Sequence, residues 1–265
     1  LCKFFDKYFS SLLKNSIAGI RGMVNFAAMT DDEKDRDREL KRRTAAELPG
    51  LLDSWRDAHR AVLRDTDPRI WDYCEVVATD PEAHNLYEIL GVVRFFRLLD
   101  CYAWNRRRVR RFFRFYEALR FNNPKGRTRY RLTPVQCFQF ASIFGFDTPH
   151  GLRLTRTAYI FVPRKFSKTT SAASLAVNDL FFGDNNSQAY VGANSYQQAK
   201  ICFDEIRAIV EDIDRGGRHT KVNRELICFT DGSRDSKAEC LAANARTRDG
   251  LNASLVIMDE YSQAR

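Results

Sequence analysis

The chain has 265 residues, of which 44% are hydrophobic and 29% charged, so it can bury one large core or two smaller ones. The longest apolar stretches are interrupted by charges at Arg94, Arg97 and Asp100, which excludes a transmembrane helix and predicts a soluble protein. Seven cysteines and four histidines are scattered without a Cys-x-x-Cys pair. This pattern argues against a zinc module or a disulfide scaffold and predicts reduced cysteines within the core.

Most of the positive charge lies in one segment. Residues 104–131 carry ten arginines, one lysine and a single acid, whereas the rest of the chain is close to neutral. Val109, Phe112, Tyr116 and Leu119 recur at helical spacing, which predicts an amphipathic helix with its arginines on the solvated side. Such a cluster either contacts a polyanion or forms a solvated face or a subunit contact, and charge alone leaves these alternatives open.

The amino-terminal part is predicted to be mainly helical. Thr30-Asp31-Asp32-Glu33 has the pattern of a capping box, in which Thr30 and Glu33 each accept a backbone hydrogen bond from the other residue. Further helices are predicted over Asp53–Leu63 and Glu82–Tyr102. We therefore expect a helical extension over residues 1–103, followed by a second domain over residues 104–265.

The second domain has the pattern of an α/β fold. Strands are predicted at Thr157–Val162, Ala189–Ala193, Glu225–Phe229 and Ser254–Met258, with helices at Thr169–Phe182 and Tyr196–Ile213. Strands that alternate with helices of this length predict a three-layer fold with a parallel sheet. Ligands of such folds bind at the carboxyl ends of the strands.

The first of these strand ends has the layout of a phosphate-binding loop. A basic loop, Pro163–Ser167, leads into Lys168-Thr169 and a helix of small residues. In such a loop the helix amides bind phosphate, Lys168 reaches the β and γ phosphates, and the Thr169 hydroxyl binds Mg²⁺. Val162 and Ser167 stand where the standard motif has glycine, so a basic turn without a nucleotide is the alternative explanation of this segment alone.

Two further features support a nucleotide site. The apolar run Leu255–Met258 ends in Asp259 and Glu260, which predicts a buried strand with a Mg²⁺-associated carboxylate and a general base at its end. Upstream, Gln136 offers an amide that can pair with the N6/N7 edge of adenine. A phosphate loop followed by paired carboxylates indicates an ATPase.

Together, these segments resemble the large terminase subunit of tailed bacteriophages, over about Val109 to Glu260. The resemblance is carried by five blocks in the family's order: Leu132-Thr133-Pro134-x-Gln136, Val162-Pro163-Arg164-Lys165-x-x-Lys168-Thr169, Ala193-Asn194-Ser195-x-x-Gln198-Ala199, Asp249-Gly250-Leu251-Asn252 and Leu255–Glu260. It implies a P-loop ATPase core that uses ATP and Mg²⁺ to drive double-stranded DNA into a procapsid.

The resemblance also implies partners and a location. These are the portal protein, the small terminase subunit and a homo-oligomeric ring in the host cytoplasm, transiently docked on the procapsid. The chain begins at Leu1 and ends at Arg265 just after an apolar run, so we expect it to be part of a longer reading frame. The family's carboxy-terminal nuclease and the last strands of the ATPase core are then expected beyond Arg265.

Site roles carry over by position. The resemblance implies that Glu260 is the catalytic base, that Asp259 and Thr169 hold Mg²⁺, and that Gln136 recognises adenine. The residues implied to bind the nucleotide phosphates are Arg164, Lys165, Ser167, Lys168, Thr169 and Thr170. Arg164 is further implied to sense the γ phosphate, while Arg246 and Arg248 lie where relatives place an arginine finger for a neighbouring subunit.

One departure from the family concerns Ser167. Relatives usually have glycine at this position, where the backbone often needs a positive φ, and serine there costs roughly 1 kcal/mol. Two alternative functions remain. A helicase-like ATPase shares the phosphate loop and the Asp-Glu pair, and a non-catalytic DNA-binding scaffold with a decayed nucleotide site would explain both the missing glycines and the arginine cluster.

Overall fold

The protein is described here by a computed structural model covering residues 30–193, 195–241 and 252–259. The described residues fall into two units, one within residues 1–61 and 74–98 and the other within residues 62–73 and 99–265. No helix in this described part of the chain is both long and apolar enough to span a membrane.

Three helices precede the basic segment, and their bounds are α1 Asp31–Thr66, α2 Pro68–Thr79 and α3 Leu86–Cys101. The predicted capping box is confirmed at the start of α1, where the Glu33 N–H donates to Thr30 Oγ1 at 3.3 Å and the Thr30 N–H donates to Glu33 Oε2 at 2.8 Å. In the first unit, Trp55 stacks on Phe96 with ring centroids 4.1 Å apart. Phe96 lies on α3 and Trp55 on α1, so these stacked rings join the two helices in the core of the first unit.

The basic segment forms the predicted helix, α4, over Arg106–Ala118. Its start is capped by the Asn105 side chain, which accepts a hydrogen bond from the Arg108 N–H at 2.9 Å. The predicted apolar stripe is buried, and Phe112 packs against two rings of helix α5 (Pro134–Phe144), with centroid distances of 4.7 Å to Phe140 and 4.4 Å to Phe144. Aromatic packing between α4 and α5 therefore forms the helical part of the second core.

Short strands flank these two helices. Strand β1, Ala103–Trp104, pairs in antiparallel fashion with β4, Phe146–Asp147, which follows α5 in the chain. An antiparallel hairpin of β2, Phe121–Asn123, and β3, Gly126–Thr128, follows α4. Gly126 has a φ of +109°, which is unfavourable for residues with a side chain, so this turn depends on glycine.

The second unit also contains a five-stranded sheet, whose strands are β5 Gln188–Ala193, β6 Thr220–Val222, β7 Leu226–Phe229, β8 Lys237–Cys240 and β9 Leu255–Asp259. They lie in the order β6-β7-β8-β5-β9. Helices α6, Lys168–Phe182, and α7, Tyr196–Ile213, pack on each other and on β5. The α/β class and these two helices agree with the sequence analysis.

The prediction of a wholly parallel sheet is wrong. Strand β5 is parallel to both β8 and β9, but β6, β7 and β8 form an antiparallel meander. The physical reason is the length of the connections, because the short links from β6 to β7 and from β7 to β8 leave no room for the crossover that parallel strands need. The predicted strand at Glu225–Phe229 exists as β7, but it runs against its neighbours.

The strand predicted at Thr157–Val162 is also absent from the structure, which places these residues outside helices and strands. Phe161 is 65% exposed and Ile160 is 36% exposed, so their side chains do not join a core. β-Branched and aromatic residues favour a strand only where a neighbouring strand and a packed face receive them. The composition of this segment predicted a strand, but no strand in the described part of the chain pairs with it.

The cysteines behave largely as predicted. Cys74, Cys137, Cys202 and Cys240 are buried, and burial raises the pKa of the Cys137 and Cys202 thiols to about 12. Cys101, at the end of α3, is instead exposed. Most of the described cysteines therefore serve as small apolar core residues.

Candidate functional site

The loop before α6 has an unusual backbone conformation. Lys165 has a φ of +68° and Ser167 has φ +59° and ψ +33°, which is the left-handed region that residues with a Cβ rarely adopt. The positive φ expected at the position of Ser167 is confirmed. A strained backbone held in place at a loop is typical of functional sites, where the surrounding structure stabilises it.

This conformation determines how helix α6 begins. The Ser167 carbonyl accepts hydrogen bonds from the Ser171 N–H at 3.0 Å and from the Thr170 hydroxyl at 2.9 Å, whereas the Ser167 side chain makes no capping hydrogen bond to the helix. Helix amino termini carry N–H groups that need an acceptor, together with the positive end of the helix dipole. The start of α6 therefore favours an anion, and the half-buried Lys168 and Thr169 lie in its first turn.

The direction in which α6 runs determines where its amino-terminal end lies relative to the sheet. Near the far end of the helix, the Ser254 hydroxyl donates to Asp179 at 2.5 Å and accepts from the Gln188 N–H at 2.8 Å. Ser254 precedes β9 and Gln188 begins β5, so the end of α6 lies at the amino ends of these parallel strands. Lys168 precedes Asp179 by eleven residues, and this length of helix spans roughly 16 Å, about the same as the five residues of β9. The start of α6, with Lys168, therefore lies toward the carboxyl ends of the strands.

Asp259 lies at the same edge. It is the last residue of β9 and is opposite Ala193, the last residue of β5. The side chain is half-buried, and its negative charge adds to the effect of burial in raising the pKa of the Cys202 thiol on α7. Asp259 therefore lies at the carboxyl edge of the parallel strands, the edge toward which α6 begins. The predicted roles of Lys168, Thr169 and Asp259 stay predictions.

Gln136 has a local structural role that the sequence analysis missed. Its Oε1 accepts hydrogen bonds from the Thr133 N–H at 3.0 Å and the Thr133 hydroxyl at 3.1 Å, while Thr133 Oγ1 accepts from the Gln136 N–H at 3.4 Å. This capping box starts α5, and only 7% of the Gln136 surface is exposed. The Thr-x-x-Gln pattern that predicts such a box is present in the sequence.

The other predicted site residues divide into two groups. Arg164 and Lys165 are exposed in the turn before Ser167. Arg246, Arg248 and Glu260 lie outside the residues that the structure describes, so their predicted roles remain predictions.

Internal contacts account for part of the arginine cluster. Arg106 and Arg110 pair with Asp65, and Arg108 pairs with Asp147, so these three cations stabilise the second unit. The exposed arginines of the cluster are Arg106, Arg107, Arg111, Arg114, Arg120, Arg129 and Arg131. Some arginines therefore have a structural role that neither alternative included, while others face the solvent. Contact with a polyanion stays a prediction.

Two contacts around α6 were not visible in the sequence. Asp179 pairs with Ser254 across 75 positions of the chain, and burial raises the pKa of the Asp179 carboxyl although the Ser254 hydrogen bond opposes this. Tyr116, on α4, lies near Thr170 and Ser171, whose side chains oppose the rise in the pKa of Tyr116 that burial causes. These contacts link α6 to β9 and to the basic helix.

These features define a class of protein: an α/β domain in which one helix starts without a side-chain cap and one parallel strand ends in an acidic residue. Residues 134–265 match the family model described as "Terminase large subunit, ATPase domain". This part of the chain, about half of its length, belongs to that family.

The chain is similar to the crystal structure of the HK97 bacteriophage large terminase, with 26% sequence identity and a TM-score of 0.48. The alignment covers 60% of this chain and 32% of that one, so the chain spans about a third of the length of that protein. A comparison with curated proteins gives no match.

Proposed function

We propose that this chain is the ATP-hydrolysing motor part of a phage terminase large subunit and that it drives double-stranded DNA into a procapsid. The observation that carries the proposal is the family match over residues 134–265, which contain the loop, α6 and β9. The left-handed conformation of Ser167 supports the proposal independently. The Ser167 side chain makes no capping hydrogen bond, so the N–H groups at the start of α6 need another acceptor.

In this proposal the loop and the first turn of α6 hold the nucleotide phosphates. Lys168 reaches the β and γ phosphates, and backbone N–H groups of the turn donate to them. The other phosphate-binding groups that we propose are Arg164, Lys165, Ser167, Thr169 and Thr170. For Gln136, the contact with adenine would use Nε2, since Oε1 accepts two hydrogen bonds from Thr133.

The donors at this edge suit Mg²⁺. The Thr169 hydroxyl and the Asp259 carboxylate offer the hard oxygen ligands that Mg²⁺ prefers, and in nucleotide sites one or two carboxylates suffice because phosphates and waters complete the coordination. When bound, Mg²⁺ would neutralise charge that develops on the transferred phosphoryl group. Glu260, next to Asp259 in sequence, would accept the proton of the attacking water.

We further propose that hydrolysis takes place between subunits of a ring. Arg164 would sense the γ phosphate of its own subunit, and Arg246 and Arg248 would reach the ATP of a neighbouring one. The proposed partners are the DNA, the portal protein and the small terminase subunit, met in the host cytoplasm at the procapsid. Arg107, Arg111 and Arg114, which are exposed on α4, would attract the DNA phosphates.

The three-layer P-loop core is part of the same proposal, with residues 104–265 as the ATPase domain and residues 1–103 as a helical extension. Strand β9 pairs with β5 on one side, and its Val256 and Met258 side chains are 53% and 47% exposed. The apolar segment Thr157–Val162 is exposed as well. Pairing this segment beside β9 would cover both surfaces and would anchor the phosphate loop directly to the sheet.

Glu260→Gln tests the proposed chemistry. We expect Mg²⁺-dependent ATP hydrolysis by the chain, stimulated by double-stranded DNA, and we expect the variant to bind ATP normally with turnover lost. The amide cannot accept the proton, whereas the phosphate contacts are unchanged. Glu211→Gln, an exposed glutamate near the end of α7, is the matched control and should keep full turnover.

Each outcome has a clear meaning. Retained hydrolysis in Glu260→Gln would remove Glu260 from the role of catalytic base. DNA binding by the unmodified chain with no affinity for ATP would instead support the non-catalytic scaffold.

A further inference from the structure

A cavity of about 340 Å³ lies at the end of α6 that is farthest from Lys168. It is formed where the ends of three helices meet, and all of its lining residues belong to the second unit. Its apolar lining includes Phe115, Leu119, Phe182, Ile209 and Ile213. We call this cavity the distal pocket.

The distal pocket has a buried base and an exposed rim. Leu119 and Ile209 are 5% and 1% exposed, whereas Phe182 and Ile213 are 46% and 45% exposed. Large apolar side chains left open around a concave site are characteristic of a surface that binds another molecule. An apolar group entering the pocket would therefore contact apolar side chains at its base.

The rim also carries an excess of positive charge. Arg120, Arg129 and Arg215 line the pocket together with one acid, Asp212. Asp212 accepts a hydrogen bond from Arg215 at 2.8 Å, and the charges of Arg215 and Arg120 help to hold the pKa of the Asp212 carboxyl below its usual value. One carboxylate cannot neutralise three guanidinium groups, so the rim favours an anionic ligand.

We propose that the distal pocket binds a segment of a partner protein in which acidic side chains flank one large apolar side chain. The apolar side chain would fill the base, and the carboxylates would pair with Arg120 and Arg129 at the rim. Duplex DNA fits this surface less well, because its outer face presents phosphates but no apolar group that could occupy the base.

This proposal does not depend on ATP hydrolysis. The pocket lies at the amino edge of the parallel strands, whereas Lys168 and Asp259 lie toward the carboxyl edge. A failed binding test would therefore leave the proposed ATPase function untouched, and the reverse also holds.

The test measures binding of a short fluorescein-labelled peptide in which glutamates flank one tryptophan, using fluorescence anisotropy with the full chain. We expect saturable binding that weakens about tenfold in Arg129→Glu and in Ile213→Ser, since one variant reverses a rim charge and the other removes part of the apolar rim. The matched control is Arg43→Glu, an exposed arginine of α1 that does not line the pocket, and it should bind like the unmodified chain.

Two comparison ligands make the result decisive. A peptide with serine in place of tryptophan should bind at least about tenfold more weakly, because only charge remains. Equal binding of both peptides, or equal binding by Arg129→Glu, would overturn the proposal. Binding of fluorescein-labelled single-stranded DNA that is lost in both pocket variants, with no binding of the tryptophan peptide, would assign the pocket to nucleic acid instead.

Discussion

Helices α6 and α7 both begin after a serine, and the two serines adopt opposite conformations. Ser195, before α7, has an extended backbone with a φ of −128°, and its hydroxyl accepts a hydrogen bond from the Gln198 N–H at 3.2 Å. Ser167, before α6, is left-handed with a φ of +59°, and its side chain makes no capping hydrogen bond. A serine side chain therefore caps the start of α7, whereas the N–H groups at the start of α6 need a different acceptor.

This contrast distinguishes a helix start that stabilises the fold from a helix start that is available to bind an anion. A side-chain cap stabilises a helix but occupies the amide groups that an anion would need. At α7 a side chain caps these amides, so they contribute to the stability of the fold. Strand β5, which precedes α7, is buried and paired on both sides. At α6 the loop is exposed and strained, which is consistent with a helix start that phosphate completes.

The largest expected effect tests this contrast with a nucleotide. If phosphates bind at α6, Mg-ADP at about 100 times its Kd should stabilise the folded protein by about 2.7 kcal/mol. We expect Lys168→Ala to lose most of this gain, which can be measured as the shift in Tm on adding Mg-ADP.

Lys200→Ala is the matched control on α7. Lys200 pairs with Asp204 on the same helix, at 2.6 Å, and it should be unnecessary for the nucleotide. An equal shift in Tm for both variants would show that the nucleotide does not use Lys168.

A smaller effect is expected at the two serines. Ser195→Ala should lower the free energy of unfolding by about 1 kcal/mol, because the Gln198 N–H loses its acceptor. Ser167→Ala should cost clearly less, since no capping bond is lost there. Chemical denaturation measures both, and equal losses would contradict the distinction between the two helix starts.

Glycine should then act in opposite directions at the same two positions. Ser167→Gly relieves left-handed strain of about 1–2 kcal/mol but increases the freedom of the unfolded chain by about 0.5–1 kcal/mol, so a net gain of about 0.5 kcal/mol is expected. Ser195→Gly should cost a few tenths of a kcal/mol, as glycine is a tolerated but weaker cap. A loss of stability in Ser167→Gly would show that the serine side chain contributes an interaction that outweighs the strain.

Local features were predictable from the sequence because local patterns determine them. Helix α7 spans Tyr196–Ile213 as predicted, and α6 begins at Lys168, one residue before the predicted start. The left-handed conformation at Ser167 followed from the position of the residue in the motif. For Gln136, the capping pattern was present, but the adenine interpretation was preferred to it.

Features that depend on distant partners were not predictable in this way. Thr157–Val162 has the composition of a strand, but strand formation requires a neighbour, which composition does not specify. The antiparallel direction of β7 follows from short links rather than from its own residues. The hydrogen bond between Asp179 and Ser254 joins two segments that have no pattern in common.

The smallest expected effect concerns Asp179, which anchors the end of α6 opposite the phosphate loop. Burial raises the pKa of its carboxyl in the folded state, whereas an unfolded aspartate titrates near about 3.9. As the pH falls through the raised pKa, the folded state binds a proton at Asp179 before the unfolded state does. The free energy of unfolding therefore increases as the pH falls from that pKa to about 3.9. Asp179→Asn keeps an acceptor for the Ser254 hydroxyl and removes the buried charge.

We therefore expect Asp179→Asn to be more stable than the unmodified chain at neutral pH by a few tenths of a kcal/mol, with an advantage that shrinks as the pH approaches about 4. Chemical denaturation across this pH range measures the difference. Asp57→Asn, at an exposed position of α1, should show no such trend. An advantage that grows on acidification would mean that the folded protein stabilises the Asp179 carboxylate. The anchor of α6 would then be an ionic contact, with Arg153 and Arg234 as the nearby cations.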